Sequence, residues 1–98
     1  MEAPRNIVGP QVIKLRLNRD WSQERLALAC QLKGWDVSRG VIARIEGGVR
    51  WISDCELLKL AATFRVSVQE LYPRNAQRYF KNRLAAVWSP RSPASAIW

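Results

Sequence analysis

The sequence has no histidine and only two cysteines, Cys30 and Cys55. Without imidazole, the commonest neutral-pH general base and the commonest metal ligand are both missing. Two thiols do not complete a four-ligand zinc site by themselves. No apolar run approaches the roughly 20 residues that span a bilayer. Residues 1–10 lack the basic-then-apolar order of a secretory signal. There is no glycine-rich phosphate loop of the G-x-x-x-x-G-K type and no spaced carboxylate cluster. These absences lead us to expect a soluble, intracellular chain that is not an enzyme and carries no metal or cofactor.

Acidic residues are also scarce. Across 98 residues, 8 Asp and Glu stand against 16 Lys and Arg, a net charge of +8. An excess of that size points to a polyanionic partner, nucleic acid ahead of an anionic membrane surface. Apolar residues make up 48% of the chain, enough for one small core. All the acidic residues lie before Pro73, whereas residues 73–98 carry Arg74, Arg78, Lys81, Arg83 and Arg91. The composition therefore changes at Tyr72-Pro73. The expected organisation is an N-terminal arm at 1–7, a folded domain at 8–72 and a basic tail at 73–98.

Five helices and no strand are expected in the body. The first runs from about Pro10 to Arg19, with proline in its first turn and Val12, Leu15 and Arg16 along one side. Ser22 caps a second, from Gln23 to about Lys33, with Glu24 at its positive end. Its main apolar face is Leu26, Ala27, Ala29 and Cys30. Leu28 and Leu32 form a second stripe, so burial on two sides is expected. Gly34 ends it, and Trp35 covers its last turn. Ser38 caps a short third helix, Arg39 to Glu46. Ile42 and Ile45 mark its core side, and Gly40, Ala43 and Arg44 fall opposite. Gly47-Gly48 stops it. Ser53-Asp54-Cys55-Glu56 is a capping box opening a fourth helix, with Leu57, Leu58, Leu60, Ala61 and Phe64 on one broad face. Ser67-Val68-Gln69-Glu70 opens a brief fifth. Cys30 and Cys55 read as small apolar helix residues.

The ordered set Trp21-Ser22-Gln23-Glu24-Arg25-Leu26-Ala27, then Ser38-Arg39-Gly40-Val41-Ile42-Ala43-Arg44-Ile45-Glu46-Gly47-Gly48, resembles the lambda-repressor-like (XRE, Cro-type) helix-turn-helix family. Leu57-Leu58-Lys59-Leu60-Ala61 and Val66 to Leu71 look like that family's fourth and fifth helices. The match covers roughly residues 8–72. It implies a compact five-helix domain that binds double-stranded DNA, usually as a homodimer. It also implies a cytoplasmic protein, encoded by a bacterium or phage and associated with the nucleoid when bound. The link from Ala27 to Ile42 is several residues longer than the family's usual one, which a longer second helix and a wider turn would absorb.

On that resemblance the third helix is the reader of the major groove. Arg39 and Arg44 are then the first candidates for base or phosphate contact, since arginine pairs bidentately with guanine. Gly40 would let the helix backbone approach the groove floor, and Val41 and Ala43 would touch a thymine methyl. Gln23 and Ser38 stand at helix starts, where side chains and free N–H groups hold phosphates. Arg50 and Trp51, in the loop after the reader, would clamp the backbone. Each has a plainer alternative: solvated charge for the arginines, drift for Gly40, simple capping for Gln23, a lid on the bundle for Trp51. In the family the glutamate at Glu46 pairs with an arginine on the first helix, which implies an Arg16–Glu46 structural ion pair.

The tail has the pattern of an amphipathic helix at 75–88, with Phe80, Leu84, Val87 and Trp88 on one side, followed by a proline-broken, disordered 89–98. That helix would meet the bundle, a second subunit or another protein. Extra phosphate contact and a membrane surface rank below these, and no membrane partner is expected. The reading favoured is a sequence-specific transcriptional regulator, a repressor by default or an autoregulating antitoxin. The alternative is a protein-interaction adaptor that uses the bundle and apolar tail without reading DNA.

Overall fold

Each helix start is set by a side-chain oxygen that takes up backbone N–H groups the helix itself leaves unpaired. The computed structural model describes residues 3–76, in the order α1 (Gly9–Asn18), α2 (Gln23–Leu32), α3 (Arg39–Glu46), α4 (Asp54–Phe64) and a 3₁₀ turn at Val68–Leu71. Among the described residues there is no strand, so the class is all-α. The hydroxyls of Ser22, Ser38 and Ser53 accept the N–H of Arg25, Val41 and Glu56 at 3.0, 3.3 and 3.1 Å. Glu56 returns the contact by accepting the Ser53 N–H at 3.0 Å, which completes the capping box.

α1 begins differently. Val8 precedes it without a side-chain cap. Instead Asn6 Oδ1 accepts the N–H of both Val8 and Gly9, at 3.1 and 2.9 Å. Asn6 Nδ2 also donates to the carbonyls of Ile45 and Arg50, at 3.1 and 2.8 Å. The Arg5 N–H donates to the Gly48 carbonyl at 2.8 Å. The last residues of the expected arm are thus stitched to the exit of α3. Gly9 lies so close to that exit that a Cβ there would sit 2.6 Å from the carbonyl oxygens of Ile45 and Glu46.

The core is built from Val12, Leu26, Ile42, Ile45, Leu60, Phe64 and Leu71, all essentially without solvent contact. Each large apolar side chain buried in this way contributes about 1.5–3 kcal/mol. Between α2 and α3 the chain turns at Gly34, whose φ of +89° suits glycine. It then buries Trp35 and Val37. These two connector residues join the core of Leu26, Ala27 and Cys30, and the expected second stripe on α2 does not. Leu28 and Leu32 face solvent, Leu32 at 76% exposure. The broad apolar face expected on α4 is likewise narrower. Leu60, Ala61 and Phe64 are buried, Leu57 is half-buried, and Leu58 is 61% exposed.

The expected fifth helix is only the 3₁₀ turn. Pro73 disfavours helical geometry in the residue before it, and Tyr72 is accordingly extended, with φ −96° and ψ 146°. Glu70 Oε2 still accepts the Ser67 N–H at 3.0 Å. At the far end of the bundle, Arg19 donates to the carbonyls of Leu15 and Phe64, at 3.1 and 2.5 Å. Its guanidinium lies 5.1 Å from the Phe64 ring, which stacks on Trp21 at 6.0 Å. The 75–88 helix and the 89–98 segment of the tail lie outside the described residues, apart from Asn75 and Ala76.

Candidate nucleic-acid interface

α3 turns Ile42 and Ile45 inward, and with them Glu46. A buried carboxylate is costly unless it is paired and hydrogen-bonded. Glu46 meets both requirements. Arg16 Nε donates to its Oε2 at 2.6 Å, and Arg16 Nη2 donates to Oε1 at 3.2 Å. The two side chains are only 12% and 5% exposed. Arg16 Nη1 also donates to the Trp21 carbonyl at 2.8 Å, which fixes the α1–α2 turn to the same group.

Gln23 completes the arrangement. Its Nε2 donates to Glu46 Oε1 at 2.9 Å, and its Oε1 accepts Arg39 Nη1 at 3.2 Å. The amide has one consistent orientation, nitrogen toward the carboxylate and oxygen toward the guanidinium. A continuous path therefore runs from Arg16 on α1, through Glu46 and Gln23, to Arg39 at the start of α3. Sequence reasoning treats Gln23 as a cap or a phosphate contact, and this bridging position lies outside both readings.

On the outer side of α3, Arg39 and Arg44 are exposed, while Gly40, Val41 and Ala43 are half-buried. A Cβ on Gly40 would meet only the Ser38 hydroxyl at 3.7 Å, so packing within the chain does not require glycine there. Ser38 caps α3 with its hydroxyl. In the loop after the reader, the plainer alternative for Trp51 falls away and Arg50 departs from expectation. Trp51 is 70% exposed and is no lid on the bundle. Arg50 does not stand open as a backbone clamp. It makes a bidentate pair with Glu56, at 3.1 and 3.2 Å, and donates to the Trp51 carbonyl at 3.0 Å. The Arg50 hydrogen bond holds the Glu56 carboxyl below its ordinary range, against a partial desolvation that works the other way.

The two cysteines are in unlike surroundings. Cys30 is fully buried, and burial pushes its thiol pKa up, partly offset by Thr63. Cys55 is exposed in the first turn of α4. Sequence reasoning also misses Asn6 and Gly9, which hold the exit of α3. The available signal is an Asn three residues ahead of a helix start, a common side-chain cap of the following backbone.

No curated protein matches the chain. Among solved structures, it is similar to the restriction-modification controller protein C.AhdI from Aeromonas hydrophila. The two share 31% identity with a TM-score of 0.57, over 66% of this chain and 87% of that one. It is also similar to a hypothetical transcription factor, NHTF, from Neisseria, at 28% identity and a TM-score of 0.61, over 80% of this chain and 90% of that one. The helix-turn-helix family pattern matches residues 12–71. With that match spanning more than half of the sequence, the chain belongs to the lambda-repressor-like helix-turn-helix family of DNA-binding regulators.

Proposed function

We propose that this protein is a site-specific double-stranded DNA-binding regulator of transcription that reads the major groove with α3 and represses by occluding a promoter. The observation that carries the reading is the contrast between the two sides of α3. Its inner side is locked by Ile42, Ile45 and the Arg16–Glu46–Gln23 path. Its outer side presents Arg39 and Arg44 beside the small Gly40 and Ala43 and the short Val41. In this reading Arg39 and Arg44 contact bases or phosphates. Ser38, Gln23 and Trp51 flank the phosphate backbone, and Arg50 acts chiefly by shaping the loop through Glu56. A bidentate arginine–guanine contact contributes about 1–3 kcal/mol of discrimination.

The protein acts as a homodimer in this proposal. Support comes from a mainly apolar depression of about 400 Å³ lined by Leu57, Leu58, Val68 and Tyr72 together with Asp54 and Cys55. Two readers would then lie one helical turn apart, roughly 34 Å, on a near-palindromic site.

The test is selection of bound sequences from a random duplex library at two salt concentrations, with Arg39→Ala/Arg44→Ala as the control. The expected result is a motif with two related half-sites that the double variant loses. Binding that is equal for both proteins and without sequence preference would overturn the assignment of α3.

A further inference from the structure

The stripe of Leu28 and Leu32 is left uncovered by the fold, and its Leu32 end borders a second depression. The two leucines lie four residues apart, on one side of α2. Beside Leu32 is an open depression of about 550 Å³ among the C-terminal ends of α1, α2 and α4. Trp21 and Phe64 line it together with Leu32, and its charged residues are Arg19, Lys33 and Arg65. Among the described residues, no acidic side chain lines it. Exposed apolar surface rimmed by polar groups marks interaction sites in folded proteins.

The cations exceed what the fold itself needs. Three helix C-termini meet here, capped by Arg19, Lys33 and Arg65, and contribute about −0.5 charge each, roughly −1.5 together. Three full positive charges leave about +1.5 unanswered by those helix ends. Arg19 is engaged with the Leu15 and Phe64 carbonyls. Lys33 and Arg65 make no side-chain hydrogen bond or ion pair among the described residues. The Lys33 end of the site is also removed from the proposed DNA face. Gln23 stands at one end of α2 and Lys33 just past the other, about 15 Å along the axis at 1.5 Å per residue.

We propose that this depression is a docking site for an acidic peptide segment of a partner protein, anchored by one large apolar side chain over Trp21 and Leu32, its carboxylates facing Lys33 and Arg65. Charge complementarity decides the occupant. The chain's own residues 73–98 carry five positive charges and no negative one, and a second copy brings a net +8. Both would set cation against cation. The inference does not rest on DNA reading by α3.

The experiment is selection from a random displayed peptide library against the full chain. It is followed by affinity measurement on Lys33→Ser/Arg65→Asn and on Leu32→Ser. Arg65 has a φ of +58°, a conformation asparagine accepts, so the double variant removes charge without adding strain. Selected peptides are expected to carry clustered Asp or Glu around one aromatic or aliphatic residue. They should bind the charge variant about tenfold more weakly, and Leu32→Ser several-fold more weakly. Duplex affinity should stay within about twofold, a difference of under half a kcal/mol. Enrichment of neutral or basic peptides, or equal binding to wild type and variants, would overturn the proposal. So would a loss of duplex affinity as large as the loss of peptide affinity, because it would assign these cations to DNA.

Discussion

Two arginine–glutamate pairs flank α3, and they differ in almost everything but their chemistry. Arg16–Glu46 lies behind the helix, with side chains 12% and 5% exposed, and reaches Gln23 and Trp21 as well as itself. Arg50–Glu56 lies beyond it, 29% and 21% exposed, and holds a loop to the first turn of α4. In the first pair, removing one partner strands a charge where water does not reach. In the second, water and salt substitute for whatever is lost. The difference teaches that an ion pair matters here through the cost of breaking it, and that this cost follows burial rather than bond length.

The sharpest way to probe the contrast is Glu46→Ala. It leaves Arg16 buried and unpaired, and the expected cost is about 3–5 kcal/mol. For a chain of this size, that lowers Tm by more than about 10 °C. An unchanged melting temperature would remove the pair from its structural role. Replacing both partners with apolar residues, Arg16→Met/Glu46→Leu, should recover much of the stability, because no charge is then stranded.

A smaller effect is expected from Gly9→Ala. The added methyl meets the carbonyls of Ile45 and Glu46, both backbone groups held by the helix. A cost of about 1–3 kcal/mol is expected, measurable by denaturant titration. A neutral result would mean that α1 slides freely over the α3 exit, despite the Asn6 stitches.

The smallest effect belongs to Glu56→Gln, about 0.2–1 kcal/mol at neutral pH. Its sign with pH follows from the lowered carboxyl pKa. The contribution is present above the ordinary value of 4.5 and is lost as pH falls through the lower folded value. Melting curves of wild type and variant should therefore separate at pH 7 and converge in acid. A gap that widens on acidification would contradict the pairing.

Local signals were the legible ones. Ser22, Ser38 and Ser53 mark helix starts because a cap is decided within three residues. Ile42 and Ile45 mark the inside of α3 because two residues three apart share a face. What stayed hidden depends on distant partners. Asn6 bonds to Ile45 and Arg50, and nothing within its own neighbourhood announces them. Gln23 bridges Glu46 and Arg39 only once two helices have met. Leu28, Leu32 and Leu58 have the spacing of core residues and still face solvent. Periodicity identifies a stripe, but which neighbour covers it is a tertiary question, and Trp35 and Val37 took the place by α2 from the connector. The outer face of α3 was legible as composition; the hold on Arg39 was not.

That hold has an entropic consequence. A long arginine side chain loses up to about 2 kcal/mol of rotamer freedom when it is fixed in one place. Arg39 has surrendered part of that freedom to Gln23 during folding, whereas no such tether restrains Arg44 among the described residues. On the proposed reading, the two arginines would meet DNA on unequal terms. Arg39 would arrive already aimed, and Arg44 would have to be ordered by the duplex itself.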